Sequence, residues 1–327
     1  MQKIFLRIVA VLIVGLALGA VALVSLFPLQ RPAADISVAM TPENIERGRY
    51  LAINVFQCVD CHSERDWTLY GGPPLAPVGA GRSCMTQATQ TAGVNSGQES
   101  FPGKLCIRNI TPDNLTGIGQ WTDGEIIRAV REGVDHNGQG LFPIMPYFIY
   151  RHVSDEDMEA VVAYLRSVEP VVSDFPERQI DFPFNLMVKM WPEPLDGPVF
   201  APDPSDRIAY GEYLATVARC EFCHTPKDPS SMEGFEGRRF AGGMPFFLNG
   251  RVMYPMNLTP HNSGLGAWSK EQFINLFKRR SQPVSVPKNA NTVMNWNAFS
   301  GMTEEDLGAL YDFFMTLPPV PFEKEPI

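Results

Sequence analysis

The pattern Cys-x-x-Cys-His occurs twice in this chain of 327 residues, as CVDCH at residues 58–62 and as CEFCH at residues 220–224. Two thiols at that spacing can chelate zinc, cycle as a redox dithiol, or close a disulfide. The histidine directly behind each pair points to a fourth chemistry, in which both thiols form thioethers to a haem and the imidazole binds its iron. Any fold for this chain must therefore provide two sites of the same kind.

The sequence around the two motifs is also repeated. A segment G-x-Y-L-A leads into each motif and an N-x-T-P segment follows it, and residues 145–171 align without a gap with residues 294–320. We therefore predict two domains of one fold, residues 41–168 and residues 207–320. Residues 169–206 between them contain eight prolines, which favours a semi-rigid linker over a third domain.

Helical signals dominate both halves. Thr122 with Glu125, and Ser269 with Gln272, have the spacing of capping boxes at helix starts. Apolar residues recur at helical spacing after these positions, and no segment alternates with period two for long. The sequence therefore predicts an all-α fold.

The first thirty residues form a separate segment. Lys3 and Arg7 precede an uncharged apolar run, residues 8–27, whose length as a helix matches a membrane core of about 30 Å. We predict a transmembrane helix that anchors the protein in the cytoplasmic membrane of a bacterium, the alternative being a long cleaved signal peptide. In both cases the basic residues stay inside, and the two domains lie in the periplasm.

The composition excludes one class of partner. The net charge is −9 and the pI is about 5.1. Nucleic acid binding requires a basic face, so we expect no nucleic acid partner.

Zinc and dithiol chemistry fit the motifs less well than haem does. A structural zinc site needs four ligands close together, and each motif supplies three. A thioredoxin-like dithiol expects a strand followed by a helix, which the helical pattern denies. We therefore predict two covalently bound haem c groups. The thioether cysteines and the iron-binding histidines are Cys58, Cys61, His62, Cys220, Cys223 and His224.

Two methionines are candidates for the opposite face of each iron. Met145 and Met294 coincide in the alignment and lie in the loop before the last helix of each half. The three other histidines do not recur between the halves, which favours methionine as the second metal ligand. The alternative is that both thioethers pack a core loop.

The remaining cysteines, Cys84 and Cys106, lie in an insertion of the first half. In an oxidising compartment, an even pair favours a disulfide. A thiolate ligand to iron, as in some sulfur-oxidising cytochromes, is the alternative.

Taken together, these residues resemble the class I cytochrome c fold, once in each half. NITPDNLTGIGQW at residues 109–121, LFPIMPY at residues 141–147 and SDEDMEAVVAYLRSV at residues 154–168 are similar to the cytochrome c subunits of membrane-bound alcohol, aldehyde and gluconate dehydrogenases. The resemblance implies two tandem cytochrome c domains behind the N-terminal helix, with Met145 and Met294 as axial ligands. The chain differs in having two haem motifs where those subunits typically have three, and Asn295 where proline is usual.

The expected function is electron transfer between a dehydrogenase or quinol-oxidising complex and an acceptor such as an oxidase or another cytochrome. Histidine and methionine together fill both axial positions of a haem iron, which leaves no open position for substrate. We therefore expect an electron-transfer protein and not an enzyme. The alternative is a haem enzyme, either a dihaem peroxidase or a thiosulfate dehydrogenase, with one accessible iron.

Overall fold

The computed structural model describes residues 2–86, 102–228, 233–248 and 251–325. Twelve α-helices lie within these residues. They are α1 Gln2–Leu26, α2 Pro42–Tyr50, α3 Cys58–Cys61, α4 Asp123–Glu132, α5 Tyr147–Tyr150, α6 Asp155–Ser167, α7 Phe184–Met190, α8 Arg207–Val217, α9 Cys220–His224, α10 Lys270–Lys278, α11 Trp296–Ser300 and α12 Glu304–Phe314.

Short β-strands are also present, so the prediction of an all-α fold is wrong. They are β1 Arg82–Thr86, β2 Gly103–Ile107, β3 Gln179–Ile180, β4 Phe246–Leu248 and β5 Arg251–Met253. A three-stranded antiparallel sheet has the order β1-β2-β3, with Met85 opposite Leu105 and Gly103 opposite Ile180, and a separate two-stranded sheet pairs β4 with β5. The strands have two to five residues, which is too short for a period-two pattern to be visible in the sequence.

The N-terminal segment is helical, since α1 covers most of the first thirty residues. None of the helices in the described part of the chain meets the combined length and hydropathy that crossing a membrane requires. The prediction of a transmembrane helix is therefore wrong.

In each half the first long helix packs against the last one through a glycine. A Cβ atom at Gly48 in α2 would lie 1.8 Å from the carbonyl oxygen of Ala160 in α6. A Cβ atom at Gly211 in α8 would lie 2.1 Å from the carbonyl oxygen of Ala309 in α12. Only glycine permits this approach of two helix backbones, so the repeated glycine marks the same helix crossing in both halves.

The predicted capping boxes are confirmed. The hydroxyl of Thr122 accepts from the backbone N–H of Glu125, and Ser269 accepts from Gln272, with the reciprocal bond present in both. The last helix of each half is capped in a similar way. The hydroxyl of Ser154 accepts from the backbone N–H of Asp157 in α6, and the hydroxyl of Thr303 accepts from the backbone N–H of Asp306 in α12. Those two carboxylates then lie at helix N-termini, where the helix dipole favours negative charge.

Two tyrosines join the halves reciprocally. The Tyr50 hydroxyl from α2 donates to Asp306 Oδ2 of the second half at 2.6 Å. The Tyr213 hydroxyl from α8 donates to Asp157 Oδ2 of the first half at 2.7 Å. Tyr50 and Tyr213 occupy the same position of the repeat, so the two halves exchange equivalent contacts, as an approximate two-fold arrangement requires.

Removing either tyrosine hydroxyl is expected to loosen the contact between the halves. A hydrogen bond to a charged group contributes about 1.5 to 3 kcal/mol, so Tyr50→Phe and Tyr213→Phe should each lower the free energy of unfolding by that amount. Chemical denaturation of the purified protein measures it. Tyr311→Phe is the control, since that hydroxyl donates to the carbonyl of Trp268 within one half and its loss should cost about 1 kcal/mol. Equal losses in all three variants would contradict the special role of the two tyrosines.

The short helices behind the candidate methionines also cross between the halves. Helix α11 packs on the π-helical turn Leu51–Val55 that continues α2, and a Cβ atom at Gly301 would lie 2.0 Å from Asn54 Oδ1. Helix α5 of the first half packs on α8 of the second. One continuous core of buried residues therefore runs through both halves.

The proline-rich linker, residues 169–206, follows the first half. It contains β3 and α7, and the ring of Trp191 meets that of Phe142 edge-on with centroids 6.1 Å apart. Arg151 pairs with Glu193 at 2.9 Å. The linker is therefore held against the first half, while the predicted domain boundaries stay a prediction.

Candidate functional site

Each Cys-x-x-Cys-His motif lies on a short helix that begins after a sharp turn of the backbone. Gln57 precedes α3 and Arg219 precedes α9, and both have left-handed backbone angles, with φ of 59° and 63°. A left-handed residue ends one helix and lets a new one start in another direction. The cysteines of both motifs are free in the structure, so neither pair has closed on itself.

The two predicted iron ligands make the same backbone contact. His62 Nδ1 lies 2.7 Å from the carbonyl oxygen of Arg108, and His224 Nδ1 lies 2.8 Å from that of Met256. Because Nδ1 carries the proton that is donated to a carbonyl, Nε2 has the lone pair for a metal. Burial lowers the pKa of both histidines, although the carbonyl contacts oppose the shift. A lowered pKa favours the neutral imidazole, which is the form that binds a metal.

The two accepting carbonyls are positioned by the N-x-T-P segments. Asn109 follows Arg108 and its Nδ2 donates to the carbonyl of Val171 at 2.7 Å. Asn257 follows Met256 and donates in the same way to Val320 at 2.6 Å. The repeated asparagine therefore ties the segment behind each last helix to the turn that orients each histidine. The sequence repeat identified both asparagines, but only the structure shows that they position the carbonyls in contact with the histidines.

Met145 and Met294 have matching surroundings. Tyr147 N donates to the carbonyl of Met145 at 2.8 Å, and Trp296 N donates to that of Met294 at 2.9 Å. Both side chains are partly buried against the hydrophobic core, as are Cys58 and Cys220. Their assignment as iron ligands stays a prediction.

The substitution of asparagine for proline behind Met294 leaves the backbone unchanged. Pro146 has φ −82° and ψ 55°, and Asn295 has φ −79° and ψ 64°. The side chain of Asn295 instead reaches the first half, where its Oδ1 accepts from Arg65 Nη2 at 2.7 Å and its Nδ2 donates to Gln57 Oε1. The departure from the family pattern is therefore a contact between the halves.

The Met294 loop is held by the first half over a longer stretch. Asn297 Nδ2 donates to the carbonyl of Tyr70 at 3.0 Å, and the N–H of Gly71 donates to Asn291 Oδ1 at 2.9 Å. The Met145 loop differs, because its neighbours Ile144 and Phe148 are 46% and 42% exposed. The two methionine loops thus have the same local backbone conformation. The Met294 loop is packed against the first half, whereas the Met145 loop is more exposed.

Zinc and dithiol chemistry find no support in the geometry. Among the described residues, no cluster of three or more histidine, cysteine, aspartate or glutamate side chains is arranged to hold a metal ion. Burial raises the pKa of the Cys58 and Cys220 thiols to about 12. A redox dithiol depends on a thiolate with a lowered pKa, so these thiols have the opposite property.

Comparison with known proteins decides the family resemblance. The alcohol dehydrogenase (quinone) cytochrome c subunit of Gluconacetobacter polyoxogenes is 31% identical over 309 residues, which cover 88% of this chain and 60% of the relative. The gluconate 2-dehydrogenase cytochrome c subunit of Pantoea cypripedii is 33% identical over 276 residues, covering 80% and 54%. A diheme cytochrome c-type protein of Cereibacter sphaeroides is 30% identical over 163 residues, covering 48% and 54%. The chain is a homologue of cytochrome c subunits. No protein family model matches it.

The predicted resemblance to these cytochromes is thereby confirmed. The chain spans between one half and two thirds of the length of these relatives. Homology to cytochromes c implies covalently bound haem c. The number of haems and their ligands in this chain stay predictions.

The residues near both motifs fit a haem c group. Each motif offers two unbonded thiols and an imidazole with Nε2 available. Within the described residues, Tyr147 OH and Trp296 Nε1 are buried polar atoms without a hydrogen-bond partner. They lie two positions behind each methionine, so each half has one unpaired buried donor at the same position of the repeat.

Cys84 and Cys106 form a disulfide between β1 and β2. The sequence interpretation that favours a bridge is therefore correct, and neither sulfur is available as a thiolate ligand to iron.

Removing the disulfide is expected to destabilise the first half. It closes a loop with a sequence separation of 22 residues, for which the chain-entropy model gives about 3 kcal/mol. The double variant Cys84→Ser, Cys106→Ser should lose this amount in denaturant unfolding while its haem spectrum is unchanged. A changed spectrum would contradict the purely structural role of this pair.

Proposed function

We propose that this protein is a dihaem c-type cytochrome that transfers electrons between a dehydrogenase or quinol-oxidising complex and a downstream acceptor. The observation that carries the proposal is the repeated geometry of the histidines. Both imidazoles follow paired free cysteines, and both direct Nδ1 to a backbone carbonyl, at 2.7 and 2.8 Å. A metal-binding histidine normally makes this second contact.

Each half contributes the same set of groups. Cys58 with Cys61, and Cys220 with Cys223, would form the thioethers, and the neighbouring histidines would bind iron through Nε2. Met145 and Met294 would each supply a second iron ligand. Haem c, when bound, supplies reversible one-electron chemistry, and a methionine ligand raises its potential. The protein itself holds the ligands in place through the buried asparagine and glycine contacts of each half.

The names of the relatives support the proposed partner, and the disulfide supports the proposed compartment. The curated relatives are named as cytochrome c subunits of alcohol, gluconate and fructose dehydrogenases, which supports a dehydrogenase as electron donor. A disulfide persists in an oxidising compartment, which supports export to the periplasm. An oxidase or another cytochrome is the acceptor in this proposal.

The alternative of a haem enzyme lacks a supporting observation. A dihaem peroxidase would be expected to lack the methionine at one of its two sites, yet Met145 and Met294 share their backbone contact and their packing against the core. A thiolate-ligated thiosulfate dehydrogenase would need a free cysteine beyond the motifs, and Cys84 is bonded to Cys106.

The proposal is tested on the full chain produced with a cytochrome c maturation system. Mass spectrometry should show two attached haems, and the oxidised spectrum should be low-spin and unaffected by cyanide or peroxide. The catalytic subunit of an alcohol or gluconate dehydrogenase, supplied with its substrate, should reduce the protein. Fewer than two haems, or a high-spin fraction that binds cyanide rapidly, would overturn the proposal.

A further inference from the structure

The two residues that precede the motifs touch each other across the halves. Arg219 Nη2 donates to Gln57 Oε1 at 3.1 Å. Gln57 directly precedes Cys58, and Arg219 directly precedes Cys220. A single side-chain contact therefore links the starts of the two motif helices. The repeat aligns these two positions, yet only one of them carries a charge.

Arg219 forms no direct ion pair, although it interacts electrostatically with the carboxylate of Asp60. None of the ion pairs among the described residues includes it. Its Nε is buried without a hydrogen-bond partner, and its guanidinium carbon lies 6.0 Å from the centre of the Tyr150 ring. A partly buried cation without a direct ion pair keeps a strong electrostatic effect on nearby groups.

Other charged groups also act on the motifs, such as Lys227 on Cys223 of the second motif. Asp60, between the cysteines of the first motif, pairs with Arg65 at 3.7 Å, and both side chains are largely buried. One negative and one positive charge cancel at longer range. Asp60, Arg65 and Arg219 together therefore carry one net positive charge.

That charge acts on both motifs. Arg219 interacts electrostatically with Cys58 and Cys61 of the first motif and with Cys220 and Cys223 of the second. Under the proposed function, on which this inference rests, those sulfurs carry the haems. Ferric haem has one more positive charge than ferrous haem, so a nearby cation disfavours the oxidised form.

We infer that Arg219 is a potential-setting residue shared by the two haem sites, which raises the reduction potential of both. It acts through space from between the motifs and contacts no reacting group. Gln57 holds it there by accepting its hydrogen bond. Because the Arg219 side chain is partly buried, salt screens this effect less than it screens a fully exposed charge.

The test is a spectroelectrochemical titration of the haem-loaded full chain, fitted to two one-electron steps. Arg219→Gln should lower the reduction equilibrium constant of each haem about tenfold, which is about 59 mV for a one-electron couple. Arg219→Lys keeps the charge, so the reduction equilibrium constant of each haem should stay within about threefold of the wild-type value. Arg279→Gln removes an exposed arginine at the end of α10 and should change neither potential.

A second variant keeps the arginine and neutralises it. Gln57→Glu puts a carboxylate where Arg219 already donates, and Gln57 Nε2 has no hydrogen-bond partner to lose. Both potentials should fall as in Arg219→Gln, so the inference stays testable if the latter variant does not fold.

Unchanged potentials in Gln57→Glu, a shift at one haem only, or an equal shift in Arg279→Gln would overturn the inference while leaving the proposed function intact. Wild-type protein that binds no haem would instead overturn the proposed function, and this inference with it.

Discussion

Replacing His224 by alanine is expected to abolish the low-spin spectrum of one haem and to unfold the second half at much lower denaturant than in the wild type. The imidazole joins three parts of that half, namely α9, the iron in the proposed function, and the carbonyl of Met256 at 2.8 Å. Loss of a metal ligand belongs to the most destabilising class of substitutions, at about 4 kcal/mol or more. His62→Ala should have the same effect on the first half.

The control for both variants is His152→Ala. His152 lies on the surface beside α6 and does not recur in the second half. Its replacement should change the free energy of unfolding by less than about 0.5 kcal/mol and leave the spectrum intact. Denaturant unfolding followed by circular dichroism and by haem absorbance measures both quantities. If His224→Ala kept two low-spin haems, the ligand assignment would be wrong.

Replacing Met145 or Met294 by alanine is expected to lower the potential of one haem and to open one coordination position. Axial ligands set haem potentials over a range of roughly 0.8 V, and a thioether favours the ferrous form, so a fall of about 0.1 to 0.2 V is expected. The covalent attachment should remain, because the cysteines are untouched. Redox titration and mass spectrometry of each variant measure these two properties.

The two methionine variants should differ in their access to ligands. Ile144 and Phe148 beside Met145 are exposed, whereas the Met294 loop is covered by Arg65, Tyr70 and Gly71 of the first half. Cyanide should therefore bind faster to Met145→Ala than to Met294→Ala. Met190→Ala removes an exposed methionine of α7 and should show neither effect. A wild-type potential in either loop variant would remove that residue from the ligand set.

Local sequence rules predicted the parts of this fold that depend on neighbouring residues. The capping boxes at Thr122 and Ser269 are confirmed, because a cap satisfies backbone donors three positions away. The repeated Gly48 and Gly211 lie at equivalent crossings of the first and last helices. The strands escaped prediction because β3, with two residues, gains its partner from a segment more than seventy positions earlier.

Local sequence rules could not predict the contacts between the two halves. Tyr50 and Tyr213 are repeated together with their neighbouring glycines. The structure gives the two residue types different roles, since the glycines pack within a half and the tyrosine hydroxyls bind the opposite one. A repeat shows that two residues are equivalent, but it does not tell which copy of a partner each one meets.

The sequence by itself determined the features that predict haem chemistry: two Cys-x-x-Cys-His motifs, their duplicated surroundings and the kinship with cytochrome c subunits. These depend on residue type and spacing, which the chain carries directly. Only the tertiary structure decided how the halves meet, with Asn295 contacting the first half and Arg219 placed between the motifs. Those contacts join residues 162 to 238 positions apart, where pairing depends on the packing of whole helices and not on any local pattern.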